Sequence, residues 1–268
     1  MKFELSEDQS LLRSSTRDFL ASEWPAEKVR AVLENEPAGY AADSWARLAE
    51  MGYIGLTLPA AAGGQGLGAI ELAIVCEEIG PANMPGPFLD AVLAAETLAA
   101  GKQDALLAEV IAGRKLVTLA RDDSPFAGEP KQRIRLEGAR LRGSKYFVPF
   151  AAQADALLVT AADGVFLADK PFEVTPLESF DLSARFGEVR FDHATKRIAG
   201  PDALARIEPL GAIGAGALLL GLMSRCLEIT IEYSRTRKTF GHAIGSFQAL
   251  QHRMSEMLLR TESTRSAV

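Results

Sequence analysis

The residues best suited to chemistry lie near the end of the chain, at 233–257. Three cations, Arg235, Arg237 and Lys238, cluster at the C-terminal end of a predicted helix. Cations favour that end of a helix because of its dipole, so this placement alone needs no ligand. A guanidinium also offers paired donors to phosphate oxygens, which makes Arg237 a candidate for binding a diphosphate.

A second helix is predicted directly after this cluster. Phe240-Gly241 and Gly245 interrupt the chain, and Ser246 is the predicted N-cap of a helix that begins at Phe247. The unpaired amides of a helix N-terminus bind anions. The segment therefore predicts an anion site built from a helix start and a nearby arginine.

Other patterns of catalytic and cofactor sites are weaker. Gly63–Gly68 lacks the G-x-G-x-x-G spacing of dinucleotide-binding folds and follows no strand, so a loop between helices is favoured. Neither a G-x-S-x-G nucleophile motif nor a metal-ligand spacing occurs, and the histidines are scattered. Cys76 and Cys226 lie in apolar helical patterns and are expected to be buried thiols in a reducing cytoplasm.

The elements that must position these residues follow a helix, strand, helix order. Ser6 and Gln9 form a capping-box pattern at the start of the first helix. Gly80-Pro81 is the predicted stop of a later helix. Helical periodicity predicts further helices at Ser44–Met51, Ala69–Ile79, Leu89–Ala100, Leu210–Tyr233 and Phe247–Leu259.

Short strands separated by glycine turns occupy the middle of the chain. No long helical pattern interrupts them, which favours an antiparallel sheet or small barrel over alternating βαβ units. The strands are predicted at Lys115–Ala120, Arg133–Leu136, Lys145–Val148, Ala156–Thr160, Val165–Ala168 and Glu188–Phe191.

The sequence thus predicts an α+β fold. We expect an N-terminal helical domain at 1–112, a central antiparallel β-barrel-like domain at 113–205 and a C-terminal helical bundle at 206–268. The bundle is expected to be incomplete, because the helical pattern reaches Val268 without a stop signal. The net charge of −6, with both signs interleaved, argues against a nucleic-acid binder. No apolar run approaches the roughly 18 residues of a membrane span, so a cytoplasmic protein is predicted.

The segment 237–254 resembles a known family. It reads R-K-T-F-G and then I-G-S-F-Q-A-L-Q-H-R-M, which is similar to the part of acyl-CoA dehydrogenases that reaches across a dimer interface to the partner's FAD. Phe3–Leu12 looks like the opening helix of that family, and Cys76–Pro81 and Leu141–Val159 resemble later motifs. The resemblance covers nearly the whole chain.

The resemblance implies roles for individual residues. Arg237 would contact the pyrophosphate of FAD, Phe240 would pack against the cofactor and Gln248 would approach its adenine end, with Thr239 in the same binding set. Two further cofactor contacts are expected on the β domain. There Phe147 would lie beside the isoalloxazine ring, and Ser124 would replace a hydroxyl that Pro149 cannot offer.

The implied activity is α,β-dehydrogenation of an acyl-CoA thioester in fatty acid or lipid metabolism. FAD is the cofactor, an electron-transfer flavoprotein is the partner, and a homodimer, tetramer or hetero-oligomer is expected. The catalytic base is unknown, because the family's glutamate lies beyond this chain or at the position of Gly211. Glu208 is a candidate base, and a helix N-terminal acid is its alternative interpretation.

Two other functions stay open. The first is a non-catalytic or site-completing subunit of a heteromeric acyl-CoA dehydrogenase. The second is an oxidase or monooxygenase of the same fold, which differs in oxygen access.

Overall fold

A computed structural model of the protein describes residues 4–122, 124 and 134–268. Phe3 of the opening motif and Arg133 of the second predicted strand lie outside these residues. The helices are α1 (Glu7–Glu23), α2 (Ala26–Asn35), α3 (Ala42–Glu50), α4 (Ala69–Ala82), α5 (Phe88–Ala100), α6 (Asp104–Ile111), α7 (Asp202–Thr236) and α8 (Gln248–Ala267). The strands are β1 (Val117–Ala120), β2 (Arg135–Glu137), β3 (Arg140–Pro149), β4 (Ala156–Ala161), β5 (Gly164–Asp169), β6 (Glu173–Leu177), β7 (Phe186–Ala194), β8 (Lys196–Ala199), β9 (Lys238–Thr239) and β10 (His242–Ala243).

The chain forms two compact units, and each collects segments that are distant in sequence. The first unit contains Met1–Pro25, Ala69–Met84 and Ala212–Val268. The second contains Ala26–Gly68 and Pro85–Gly211. The expected α+β fold, with helices before and after a central sheet region, is confirmed. The domain limits at 113 and 206 stay a prediction.

In the first unit, α1 packs along α4. The predicted capping box is present: the Gln9 N–H donates to Ser6 Oγ at 3.1 Å, and the Ser6 N–H donates to Gln9 Oε1 at 2.9 Å. Further along the helix, Arg17 donates to both carboxylate oxygens of Glu78, at 2.9 and 2.8 Å. Glu78 is buried, so these charge-assisted bonds satisfy a carboxylate removed from water.

The helix α4 continues past its predicted stop at Gly80-Pro81 and ends at Ala82. Gly80 lies directly against the backbone of α7, since a Cβ on Gly80 would meet the Leu218 carbonyl oxygen at 2.4 Å. The glycine therefore serves close helix packing, and its position near the helix end does not stop the helix. This packing was not readable from the local pattern.

The helix α7 is also longer than predicted, with 35 residues and Pro209 inside it. By length and composition alone, α7 qualifies among the described residues as a possible membrane span, with a mean hydropathy of 1.7 in its most apolar window. Core helices of soluble proteins pass the same criterion.

The two cysteines were both expected to be buried, and for Cys226 of α7 this expectation was wrong, because Cys226 is exposed. Cys76 is buried, and burial raises the pKa of its thiol to about 12.

The second unit contains two four-stranded sheets, with strand orders β1-β4-β5-β8 and β2-β3-β7-β6. Each sheet is open, since the strands at its two edges are different and do not pair with each other. The expected barrel is therefore not formed. Their facing sides share an apolar core that includes Leu141, Phe166 and Phe191. One pair, β1 with β4, is parallel, since the chain passes through β2 and β3 of the other sheet before it returns.

Candidate functional site

The cationic segment of the first unit folds as a tight hairpin at the end of α7. The Arg237 N–H donates to the Tyr233 carbonyl oxygen at 2.9 Å, and the Arg237 carbonyl oxygen accepts from the Ile244 N–H at 2.8 Å. Between these bonds, β9 pairs antiparallel with β10. Arg237 therefore lies at the base of the hairpin, fixed through both of its backbone polar groups.

The two residues of the hairpin turn both have positive φ, 53° at Phe240 and 83° at Gly241. A turn of this kind matches the twist of two antiparallel strands and normally has asparagine or glycine at its first position. Phenylalanine at that position is uncommon because its Cβ crowds the backbone. The ring of Phe240 is 88% exposed, so it contributes nothing to the core of the chain.

The helix that follows, α8, begins at Gln248, one residue later than predicted. The N-cap of α8 is Phe247, and Ser246 lies in a short 3₁₀ turn where its hydroxyl donates to the Ala243 carbonyl oxygen at 2.7 Å. The predicted N-cap role of Ser246 is therefore wrong. Gln248 is the first residue of α8, and its side chain is exposed.

The hairpin and helix start bring together four of the predicted cofactor residues. Arg237, Phe240 and Gln248 are exposed, and Thr239 is half-buried in β9. The set combines a guanidinium, an aromatic ring, an amide and the unpaired N–H groups of a helix terminus. Such a surface is suited to a ligand with a phosphate and a planar ring.

The other two predicted residues, Phe147 and Ser124, lie in the second unit. Phe147 has a φ of 50° in β3, where the register with β7 shifts between Lys145 and Val148. Its ring is 44% exposed and meets the edge of Phe186 at a centroid distance of 6.3 Å. Ser124 is half-buried, and its neighbours at 123 and 125–133 lie outside the described residues.

Sequence reasoning missed a buried lysine beside Phe147. Lys145 is 0% exposed, and its Nζ donates to the Arg121 carbonyl oxygen at 2.7 Å and to Thr160 Oγ1 at 3.1 Å. A lysine in a strand usually keeps its ammonium in water. The buried positions of β3, Leu141, Lys145 and Val148, do not follow a two-residue alternation, so the sequence pattern does not show that Lys145 points inward.

A half-buried carboxyl, that of Asp90, was also missed, in the first turn of α5. Burial raises the pKa of Asp90 to about 6, although the charge of Arg121 acts in the opposite direction. In sequence, Asp90 is an ordinary first-turn acid that favours the helix dipole. The environment of Asp90 depends on tertiary packing, because α5 packs against β1.

The candidate base Glu208 is exposed on α7. Because α7 begins at Asp202, Glu208 lies in the second turn, which contradicts its interpretation as a helix N-terminal acid. The resemblance requires a carboxylate that burial tunes for proton abstraction. The exposed position of Glu208 does not supply that environment.

These features define an α+β chain with a candidate site for a ligand that has a phosphate and a planar ring, and comparison with known proteins identifies its family. The family model "Acyl-CoA dehydrogenase, N-terminal domain" matches residues 6–111, and "Acyl-CoA dehydrogenase, C-terminal domain" matches residues 209–268. The chain is 33% identical to acyl-CoA dehydrogenase IpdE2 of Mycolicibacterium smegmatis, over 98% of this chain and 76% of that protein. The chain belongs to the acyl-CoA dehydrogenase family.

Solved structures agree with this family. A variant of the Tcur3481-Tcur3483 steroid ACAD superposes with a TM-score of 0.86 at 29% identity, over 97% of this chain and 75% of that chain. The ChsE4-ChsE5 complex from Mycobacterium tuberculosis superposes with a TM-score of 0.84 at 26% identity, over 100% of this chain and 79% of that chain. Family membership supports a flavoprotein with oxidoreductase chemistry on acyl-CoA thioesters.

Proposed function

We propose that the chain is a subunit of an FAD-dependent acyl-CoA dehydrogenase that introduces an α,β double bond into an acyl-CoA thioester. The electrons then pass to an electron-transfer flavoprotein. The observation that supports the proposal is the hairpin between α7 and α8, in which Arg237, Phe240 and Gln248 are all exposed. A cytoplasmic location is part of the proposal.

The hairpin surface fits one end of FAD. The Arg237 guanidinium offers paired donors to the pyrophosphate, and the exposed Phe240 ring offers an apolar face. Gln248 offers an amide within the first turn of α8, suited to hydrogen bonding with adenine. When bound, FAD supplies the two-electron acceptor of the reaction.

The bulge of β3 fits the other end of FAD in part. Phe147 presents a half-exposed ring, suited to packing beside a planar ring system. Pro149 lies two residues further along and has neither an N–H nor a hydroxyl to donate. By the resemblance, residues 237–248 serve the FAD of a partner subunit, and Phe147 and Ser124 serve the FAD on the β domain.

An exposed apolar stripe on α7 supports assembly with another subunit. Leu219, Leu222, Cys226, Ile229 and Tyr233 are exposed and alternate at spacings of three and four residues. This spacing is that of a seam against which another helix packs. We therefore propose a homodimer, a homotetramer or a hetero-oligomer of subunits of this family.

The visible spectrum of the purified protein tests the proposed function. We expect the visible absorption bands of oxidised flavin, and bleaching of these bands when an acyl-CoA thioester is added without oxygen. Slow reoxidation by oxygen would distinguish a dehydrogenase from an oxidase. A protein that carries FAD but is not bleached by any thioester contradicts catalysis by this chain.

A site-completing subunit is the second candidate function. The position where a minority of the family places its base holds Gly211, the following position, where an arginine is common, holds Ala212, and the nearby Glu208 is exposed. The hairpin residues toward a partner's FAD are nevertheless present. Purification alone and together with a second family subunit separates the two functions: flavin only in the mixed assembly favours this candidate, and stoichiometric flavin in the isolated chain contradicts it.

A further inference from the structure

The ammonium of Lys145 joins the two sheets of the second unit. Lys145 belongs to β3. Its two acceptors are the carbonyl oxygen of Arg121, the residue directly after β1, and Oγ1 of Thr160, which lies in β4 of the other sheet. A buried ammonium is costly unless hydrogen bonds satisfy it. The 2.7 Å bond to the carbonyl of Arg121 therefore restrains where the chain leaves β1.

The residues that follow Lys145 and Arg121 make a second hydrogen bond between the same two segments. The Tyr146 N–H donates to the Asp122 carbonyl oxygen at 2.8 Å, which makes an isolated bridge between these residues. Two consecutive carbonyls after β1 are thus bound by two consecutive residues of β3. Ser124, a predicted flavin contact, follows two residues later.

Directly after Lys145, β3 forms the bulge that contains Phe147. The register with β7 shifts between Lys145 and Val148, and Phe147 adopts a φ of 50°. A non-glycine residue in this region of backbone space persists where the surrounding structure holds it there. Lys145 and Tyr146, bound to residues 121 and 122, provide that restraint on the N-terminal side of the bulge.

We propose that Lys145 is a positioning residue of the flavin site, which holds the backbone at residues 121–122, shortly before Ser124 in sequence, in a fixed place relative to the bulge that presents Phe147. The proposal rests on the proposed function, because it assigns a purpose to two predicted flavin contacts. Lys145 itself is fully buried, so the proposal assigns it no contact with the cofactor. Its effect reaches the flavin through the backbone at 121–122 and at 146–147.

The test compares Lys145→Met with Lys196→Met in the full chain, purified with whatever partner subunit it requires for flavin. Lys196 lies exposed on β8 of the same unit, so its substitution controls for loss of a positive charge. We expect Lys145→Met to lower FAD affinity by about tenfold, the effect of one lost hydrogen bond to a charged group, and to change the shape of the flavin bands. Lys196→Met is expected to match the wild type.

Hydrogen exchange in the flavin-free protein tests the connection itself. We expect faster exchange at the Tyr146 amide in Lys145→Met and no change in Lys196→Met. A folded Lys145→Met protein with wild-type FAD affinity, spectrum and exchange would overturn the proposal. If Lys145→Met does not fold, Lys145→Gln, which keeps a shorter donor, takes its place; failure of both to fold would assign Lys145 to stability alone and also overturn it.

These outcomes are distinct from failure of the proposed function. A wild-type protein that holds no FAD, alone or with a partner subunit, contradicts flavin binding before any variant is compared. The exchange rate at Tyr146 is measured without FAD, so it reports on the connection in either case.

Discussion

Gly221 of α7 lies against the Glu77 carbonyl oxygen of α4 so closely that a Cβ on Gly221 would stand 2.1 Å from it. Gly80 makes the reciprocal approach from α4 to α7. Glycines at such a crossing let two helix backbones approach more closely than any side chain would permit. The contact explains why α4 continues through a sequence that predicts its end.

Substitution of this glycine should destabilise the first unit. We expect Gly221→Ala to lower the free energy of unfolding by about 1–3 kcal/mol, because backbone atoms cannot move aside as a flexible side chain can. Urea unfolding followed by circular dichroism measures the change. Gly200→Ala is the control, since its Cβ would meet only the end of the Arg197 side chain, at 3.6 Å. Equal stability of Gly221→Ala and the wild type would contradict the close crossing.

The half-buried carboxyl of Asp90, whose pKa is raised by desolvation, predicts a pH-dependent stability. Burial raises its pKa from 3.8 to about 6 in the folded state, so the folded state keeps this proton to a higher pH than the unfolded chain does. Its ionisation therefore costs stability as the pH rises from about 4 to about 6, and the cost is constant above that range.

We accordingly expect Asp90→Asn to unfold like the wild type at about pH 4 and to be more stable by about 1–3 kcal/mol at pH 7. Urea unfolding at several pH values measures this difference. Asp104→Asn, which removes an exposed first-turn acid from α6, is the matched control. A stability difference for Asp90→Asn that does not grow with pH would contradict the burial of the carboxyl.

Arg237 is predicted to bind the FAD pyrophosphate. We expect Arg237→Ala to weaken FAD retention by roughly tenfold to a hundredfold, the loss of one or two charge-assisted hydrogen bonds. Arg237→Lys should weaken it less, because the charge stays while the paired donors are lost. Flavin release during dialysis, followed by fluorescence, measures retention. Arg235→Ala, two residues earlier and also exposed, is the control; equal loss in both variants would indicate a general charge effect.

Substitution of Phe240 is expected to weaken FAD binding without lowering the stability of the fold. Asparagine tolerates positive φ better than phenylalanine, and the resulting Asn-Gly turn is the preferred one for this hairpin. We expect Phe240→Asn to keep or raise the free energy of unfolding, by up to about 1 kcal/mol, while FAD affinity falls. Thermal unfolding and flavin titration measure the two effects. Phe180→Asn, an exposed aromatic in the second unit, should change neither; a wild-type FAD affinity in Phe240→Asn would remove Phe240 from the site.

Short-range features were predictable because the groups that stabilise them are neighbours in sequence. The capping box of Ser6 and Gln9 and the chain break at Phe240-Gly241 are examples. The elements α2, α6, β6 and β8 were missed, and each of them spans ten residues or fewer. Boundaries failed where packing outweighs local preference, as at Gly80-Pro81.

Of the candidate site, the residue types at 237–248 were readable from the sequence. Only the structure shows that the ring of Phe240 stands in solvent and that Ser246 turns away from the start of α8. The positions of Lys145 and Asp90 away from water were not predicted. A charged residue is expected at the surface by default, and its removal from water depends on partners distant in the chain.

The sequence by itself determined the family, the order of helices and strands and the hairpin residues, because these depend on residue types and local spacing. Tertiary structure decided the parallel pairing of β1 with β4, the open sheets, the exposure of Cys226 and the inward ammonium of Lys145. Each of these depends on contacts between segments far apart in sequence, whose free energy exceeds the local preferences that a sequence pattern expresses.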